Sequence, residues 1–191
     1  MIWLYDNWYK STIFLAVYIF LLAVTYILND SFALFLIWMQ TVVYLLHQFE
    51  EYIFPGKFIA FFNKTVLGSS KADFPLGKKV SFWINIPIIY VGFPISAILA
   101  GSVHLSIGLW TAYFSIINAS SHLGMYFKSG YNPGLIVSVL LNIPVGLLAI
   151  YYLTANGLVT MSANLVGLAI GFLIQLVVTI YGFKFLKPMV Q

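Results

Sequence analysis

Residues 32–53 read FALFLIWMQTVVYLLHQFEEYI. A helix needs about 20 apolar residues to cross a bilayer, at 1.5 Å of rise per residue, and this stretch supplies them. It is not uniformly apolar. Gln40, Tyr44, His47, Glu50 and Glu51 recur at spacings of three and four, which gathers them along one side of the helix. The polar file ends in two adjacent carboxylates. A bilayer-length helix with such a stripe belongs inside a bundle, where the stripe can find partners.

Working outward, five further stretches have similar character, at about 11–28, 80–100, 103–127, 134–154 and 161–185. The chain of 191 residues is 62% hydrophobic and 7% charged. A water-soluble domain carries about 25% charged residues. So few charges cannot cover a water-facing surface, and disorder is excluded for the same reason. The expected fold is therefore all-α: one polytopic membrane bundle of about six helices over residues 1–191. The pI near 9.2 comes from nine lysines scattered over short segments, with no arginine, so nucleic acid is not an expected partner. The absence of cysteine excludes disulfides and thiolate metal sites. Residues 1–10 lack a basic run followed by a cleavage site, so the first span is expected to be retained.

Six spans would put the N-terminus, the 54–79 and 128–133 loops and the C-terminus on one side. Those segments hold Lys10, Lys57, Lys64, Lys71, Lys78, Lys79, Lys128, Lys184 and Lys187, every lysine in the chain. The positive-inside rule makes that side cytoplasmic and the host a cytoplasmic (inner) membrane, with both termini inside. Between spans two and three, residues 57–67 place Phe58, Phe61, Phe62 and Val66 near one face, as an interfacial helix would.

Ser81-Phe82-Trp83-Ile84-Asn85-Ile86-Pro87 and Ser138-Val139-Leu140-Leu141-Asn142-Ile143-Pro144 share the pattern Ser-x-x-x-Asn-Ile-Pro. Each follows a Pro/Gly element (Pro75-Leu76-Gly77; Pro133-Gly134), and each is preceded by a span with a histidine near its cytoplasmic end, His47 or His122. Spans 2–3 and 4–5 therefore read as an internal repeat. Asn85 and Asn142 have an alternative structural use: capping carbonyls freed by the prolines.

The candidate site is His47, Glu50, Glu51, Asn85, Asn118, His122 and Asn142. By helical rise, all lie on the order of 10 Å below the cytoplasmic interface. No lysine lies within the membrane to neutralise the two carboxylates. They are expected either to bind protons or to share a divalent cation. His47, Glu50, Glu51 and His122 are the candidate metal ligands. Histidine and carboxylate donors suit Zn²⁺ first, with Fe²⁺ or Mn²⁺ as alternatives. Two histidines and one glutamate leave a position for water or substrate, and the other glutamate, Glu51 for choice, can then act as base. Glu50 and Glu51 are interchangeable in these roles. Asn85, Asn118 and Asn142 would orient or polarise. His104 lies at the outer end of its span and reads as a surface residue.

His47-Gln48-Phe49-Glu50-Glu51 and Asn118-Ala119-Ser120-Ser121-His122 resemble the two signatures, H-x-x-E-E and N-x-x-x-H, of a bacterial membrane family named for the first of them. Both are intact here and in the expected order. The resemblance spans about residues 30–150 and implies a site but no particular reaction. CAAX-type intramembrane proteases share only the general layout, since their Glu-Glu-x-x-x-Arg pattern is absent. The leading functional expectation is a metal-dependent membrane hydrolase acting on a lipid or lipid-linked substrate. A transporter or proton/ion relay built on the same cluster, and a non-catalytic accessory protein, are the alternatives.

Overall fold

The computed structural model describes residues 1–190. Among them are seven helices: α1 (Ile2–Tyr26), α2 (Phe32–Tyr52), α3 (Phe58–Leu67), α4 (Lys78–Ser102), α5 (Leu109–Ser129), α6 (Leu135–Ala155) and α7 (Met161–Val190). No strand is present among the described residues. Helices α1, α2, α4, α6 and α7 are long and apolar enough to cross a membrane, as a multi-pass membrane protein requires. Helix α5 has the length, 21 residues, but Asn118, Ser120, Ser121 and His122 make it more polar than the other five.

The sequence boundaries shift where local chemistry extends a helix. The first helix starts at Ile2 rather than 11, because Tyr5 packs edge-on against Phe82 (5.0 Å) and Trp8 against Tyr52 (5.0 Å), holding its amphipathic start on the bundle. The fourth expected span, α5, starts at Leu109 rather than 103, since a 3-10 turn at Leu105–Gly108, capped by the His104 side chain, takes up the intervening residues. Two starts are fixed by hydroxyl caps: Ser31 Oγ accepts from Leu34 N, and Thr160 Oγ1 from Ala163 N.

Helices α2 and α5 form the centre. Along α2, buried residues run all round the helix and include Gln40, His47, Gln48, Glu50 and Glu51. It packs against α1, α4, α5 and α6. Helix α7 lies along α5, and the contact is close because Gly171 has no Cβ: one built there would sit 2.7 Å from the Phe114 backbone nitrogen. A cluster of Val42, Tyr44, Leu45, Ile89, Phe93 and Phe114 ties α2, α4 and α5 together.

Both α4 and α6 contain a widened, π-type turn, at Ile86–Gly92 and Ser138–Asn142. Each ends two residues before a proline, Pro94 or Pro144. A proline removes one helical donor and crowds the preceding turn, and widening that turn accommodates both effects. Helix α3 is short, and Asn63 pins the chain that follows it. Its Nδ2 donates to the carbonyls of Ala72 (2.9 Å) and Leu76 (2.8 Å), and its Oδ1 accepts from Leu76 N (2.9 Å).

Candidate metal centre

Three of the expected side chains converge. His47 and Glu51 are one turn apart on α2, and His122 reaches them from α5. Glu51 Oε1 lies 3.6 Å from His47 Nε2 and 3.5 Å from His122 Nε2, and all three residues are buried. The imidazole rings meet edge to face, with centroids 4.7 Å apart. All three donor atoms lie within 4.8 Å of one another.

The outer ring nitrogens reveal how the histidines are held. Asn132 Nδ2 donates to the His122 backbone carbonyl at 3.0 Å, which turns Asn132 Oδ1 toward the ring, 2.7 Å from Nδ1. A carboxamide oxygen only accepts, so His122 Nδ1 carries the proton and Nε2 presents a bare lone pair toward Glu51. His47 Nδ1 is 3.2 Å from Ser138 Oγ, while its Nε2 is buried without a hydrogen-bond partner. Gly134, at φ +100°, fits beneath both rings. A Cβ there would lie 2.7 Å from Cε1 of each histidine and 3.1 Å from Glu51 Cγ.

Separations of 3.5–3.6 Å are too long for hydrogen bonds between these groups. They are close to the spacing of two ligands around one tetrahedral ion. With metal–ligand bonds of about 2.0–2.2 Å, tetrahedral geometry sets neighbouring donors about 3.3–3.6 Å apart. A lone pair facing a carboxylate in a buried setting is unfavourable unless a proton or a metal ion lies between them. The donor set and the two histidine–Glu51 spacings fit a divalent ion.

Glu50 does not join this group. Its side chain faces the start of α6, where Oε1 accepts from Ile136 N (3.1 Å) and Tyr131 Oη–H (3.0 Å), and Oε2 accepts from Val137 N (2.8 Å). It is an N-terminal cap supplied by another helix, placed where the helix dipole favours an anion. Burial, together with the Glu50 carboxylate, pushes the Tyr131 phenol up to about 12, which keeps it a donor. Of the two glutamates offered by the sequence as ligands, the geometry places Glu51 with the histidines and Glu50 on α6.

None of the expected asparagines touches a histidine ring nitrogen. Asn85 accepts from Gln48 Nε2 (2.7 Å) and donates to Tyr52 Oη and the Ser81 carbonyl. Asn142 donates to Ser115 Oγ at 2.8 Å, leaving its Oδ1 buried and unpartnered. Asn118 donates to Gln175 Oε1 at 3.3 Å, and its Oδ1 is likewise unpartnered. The asparagine that orients a histidine is Asn132, which sequence reading passed over. It stands in Asn132-Pro133-Gly134, where asparagine is ordinary turn chemistry. Its full burial is the distinguishing feature, and only the structure shows it.

A family described as a protein of unknown function with HXXEE motif matches residues 38–152. No curated protein and no solved structure matches the chain.

Proposed function

The chain belongs to the HXXEE-motif family of unknown function, and from that premise we propose that it is a metal-dependent membrane enzyme, a hydrolase of lipid or lipid-linked substrates. The observation that carries this reading is the convergence of His47 Nε2, His122 Nε2 and Glu51 Oε1 at ligand spacing, with the outer nitrogen of each ring already engaged. Two histidines and one carboxylate are the protein ligands of several hydrolytic zinc sites, and the same trio serves non-haem iron. Zn²⁺ is the proposed ion, with Fe²⁺ or Mn²⁺ as the alternatives that metal analysis separates. A bound divalent ion would supply Lewis acidity and an activated water.

The roles of this chain's own residues follow from their positions. His47, His122 and Glu51 hold the ion. Asn132 and Ser138 fix the rings, and Gly134 makes room for them. With Glu50 committed to α6, it is not free to act as base, and Glu51 is assigned to metal binding. The proposed topology counts α5 as a sixth span, shielded by its neighbours. Both termini and all nine lysines then share the cytoplasmic side of a cytoplasmic membrane. An ion relay is favoured less: on the far side of the cluster, Gln40 Nε2 donates to the Leu36 and Val145 carbonyls and Thr111 to Gly108, so their donors serve helix carbonyls.

The test is metal content of the protein purified in detergent without chelator, read by mass spectrometry. Near-stoichiometric metal, lost in His47→Ala, His122→Ala and Glu51→Gln but kept in Glu50→Gln, is the expected result. No metal in the wild type, even after reconstitution with Zn²⁺, Fe²⁺ and Mn²⁺, would overturn it.

A further inference from the structure

Two openings meet at Glu51, and they differ in kind. The first is a cavity of about 230 Å³, walled by α2, α3, α4, α5 and α7. Most of its wall is aliphatic or aromatic, including Phe58, Phe62, Ile88, Phe114, Val178 and Leu186. Glu51 and His122 form part of the same wall. The unpartnered, buried Oδ1 of Asn118 belongs to another residue of this wall. The second opening is a wider, water-facing vestibule of about 580 Å³ lined by Asp6, Lys57, Asp73 and Lys78 as well as Glu51. Tyr52 and Phe58, like Glu51, line both spaces.

A crevice between α4 and α7, lined by Trp83, Pro87 and Val177, runs beside the apolar cavity, and Ile84, Ile88, Val178 and Tyr181 line both. Trp83 and Val177 are exposed on the face where the bundle would meet lipid. The end of the cavity toward α3 is closed by Leu67, Leu76 and Leu186 packing together. At about 230 Å³ the cavity is larger than the roughly 150 Å³ apolar cavity that accepts a benzene-sized ligand, so it has room for a segment of hydrocarbon chain.

We propose that this cavity seats one hydrocarbon chain of a membrane amphiphile, admitted sideways between α4 and α7, while water reaches Glu51 separately through the vestibule. The polar end of the amphiphile lies at Asn118, His122 and Glu51, and the rest of the chain trails through the crevice into the bilayer. An apolar cavity ending on a polar, buried cluster suits a molecule with an apolar chain and a small polar junction. The vestibule supplies what the cavity excludes, a route for water and a water-soluble product. This deepens the lipid-hydrolase reading and rests on it for the chemistry, though not for the binding.

The absence of cysteine makes single-cysteine reporters clean. Ser121→Cys places a near-isosteric thiol on the cavity wall, and Ala60→Cys places one in the vestibule. Each full-length variant is reconstituted in phosphatidylcholine vesicles and treated with N-dodecylmaleimide or with a charged, membrane-impermeant thiol reagent. The expected result is that the alkyl reagent modifies Ser121→Cys at least tenfold faster than the charged one, and that Ala60→Cys shows the reverse preference. Adding Val178→Trp, between cavity and crevice, should slow alkylation of Ser121→Cys tenfold or more, whereas Val178→Ala should not slow it. Equal or faster reaction of Ser121→Cys with the charged reagent, or no effect of Val178→Trp in a protein with unchanged thermal unfolding, would overturn the proposal. Zinc content is read on the same samples. Chain-selective alkylation without bound metal would remove the metal reading and keep this one; bound metal without chain selectivity would do the opposite.

Discussion

Helices α4 and α6 carry the same Ser-x-x-x-Asn-Ile-Pro pattern, and the bundle uses the two copies differently. In α6, Ser138 reaches His47 Nδ1, Asn142 is bound to Ser115, and Gly134 at the helix start lies under both histidine rings. In α4, Ser81 Oγ has no hydrogen-bond partner, Asn85 is held by Gln48 and Tyr52, and both residues line the apolar cavity. One copy closes over the donors as their support; the other forms a wall of the space beside them. The prolines differ as well: the widened turn of α4 leads to Pro94, while Pro87, the residue that matches Pro144 in sequence, sits inside that turn. A shared local pattern fixes which residues lie on one helix face. What that face meets is set by neighbours far away in sequence.

The sharpest way to break this comparison is at the paired glycines. Gly134→Ala should cost about 3 kcal/mol or more, from a positive φ unsuited to alanine and from a Cβ within 3 Å of both rings, and it should abolish zinc retention. Gly77→Ala, whose Cβ would meet only the Asp73 carbonyl at 3.4 Å, should change stability by no more than about 1 kcal/mol, the range for alanine at a backbone position that tolerates it. Thermal unfolding and metal analysis of the two variants check this, and similar effects from both would erase the asymmetry.

Next in size is the residue that orients His122. Asn132→Ala leaves Nδ1 without its acceptor and should weaken zinc binding about 10–100-fold, measured by chelator competition. Asn85→Ala, on the other copy, should leave zinc affinity unchanged within about threefold.

The serines come third. Ser138→Ala should lower zinc affinity by about tenfold, toward the smaller end of the range for groups that support a ligand, since its 3.2 Å contact to His47 is long. Ser81→Ala should leave zinc affinity alone. A zinc affinity that falls equally in both variants would mean that the α4 copy also supports the donors.

The smallest expected effect is at Glu50. Glu50→Gln keeps an acceptor for only one of the Ile136 and Val137 amides, turns an NH2 toward the other and removes the charge at the start of α6. It should cost about 1–2 kcal/mol of stability, from the lost helix-end charge and the lost acceptor, with metal retained. Glu51→Gln should reverse this, losing metal with little loss of fold. The two adjacent carboxylates thereby separate a cap from a ligand.

Much of the protein was legible in its residues. Bilayer-length apolar runs and a charge content of 7% are enough to specify an all-helical membrane chain, because lipid leaves the backbone no other partners. The 3–4 spacing likewise put His47, Glu50 and Glu51 on one side of α2, and Asn118 and His122 on one side of α5, since helical periodicity alone decides which side chains share a face. Periodicity did not distinguish Glu50 from Glu51. Both straddle the His47 direction, and only the start of α6, brought to Glu50 from some 86 residues away, decides between them. The same holds for Asn132: a turn asparagine in sequence becomes the partner of His122 once the loop folds under α5. The cavity, the crevice beside it and the vestibule also belong to the tertiary structure, because gaps arise from how helices are spaced. The sequence determined which groups face inward; the packing determined which of them meet, and what is left open beside them.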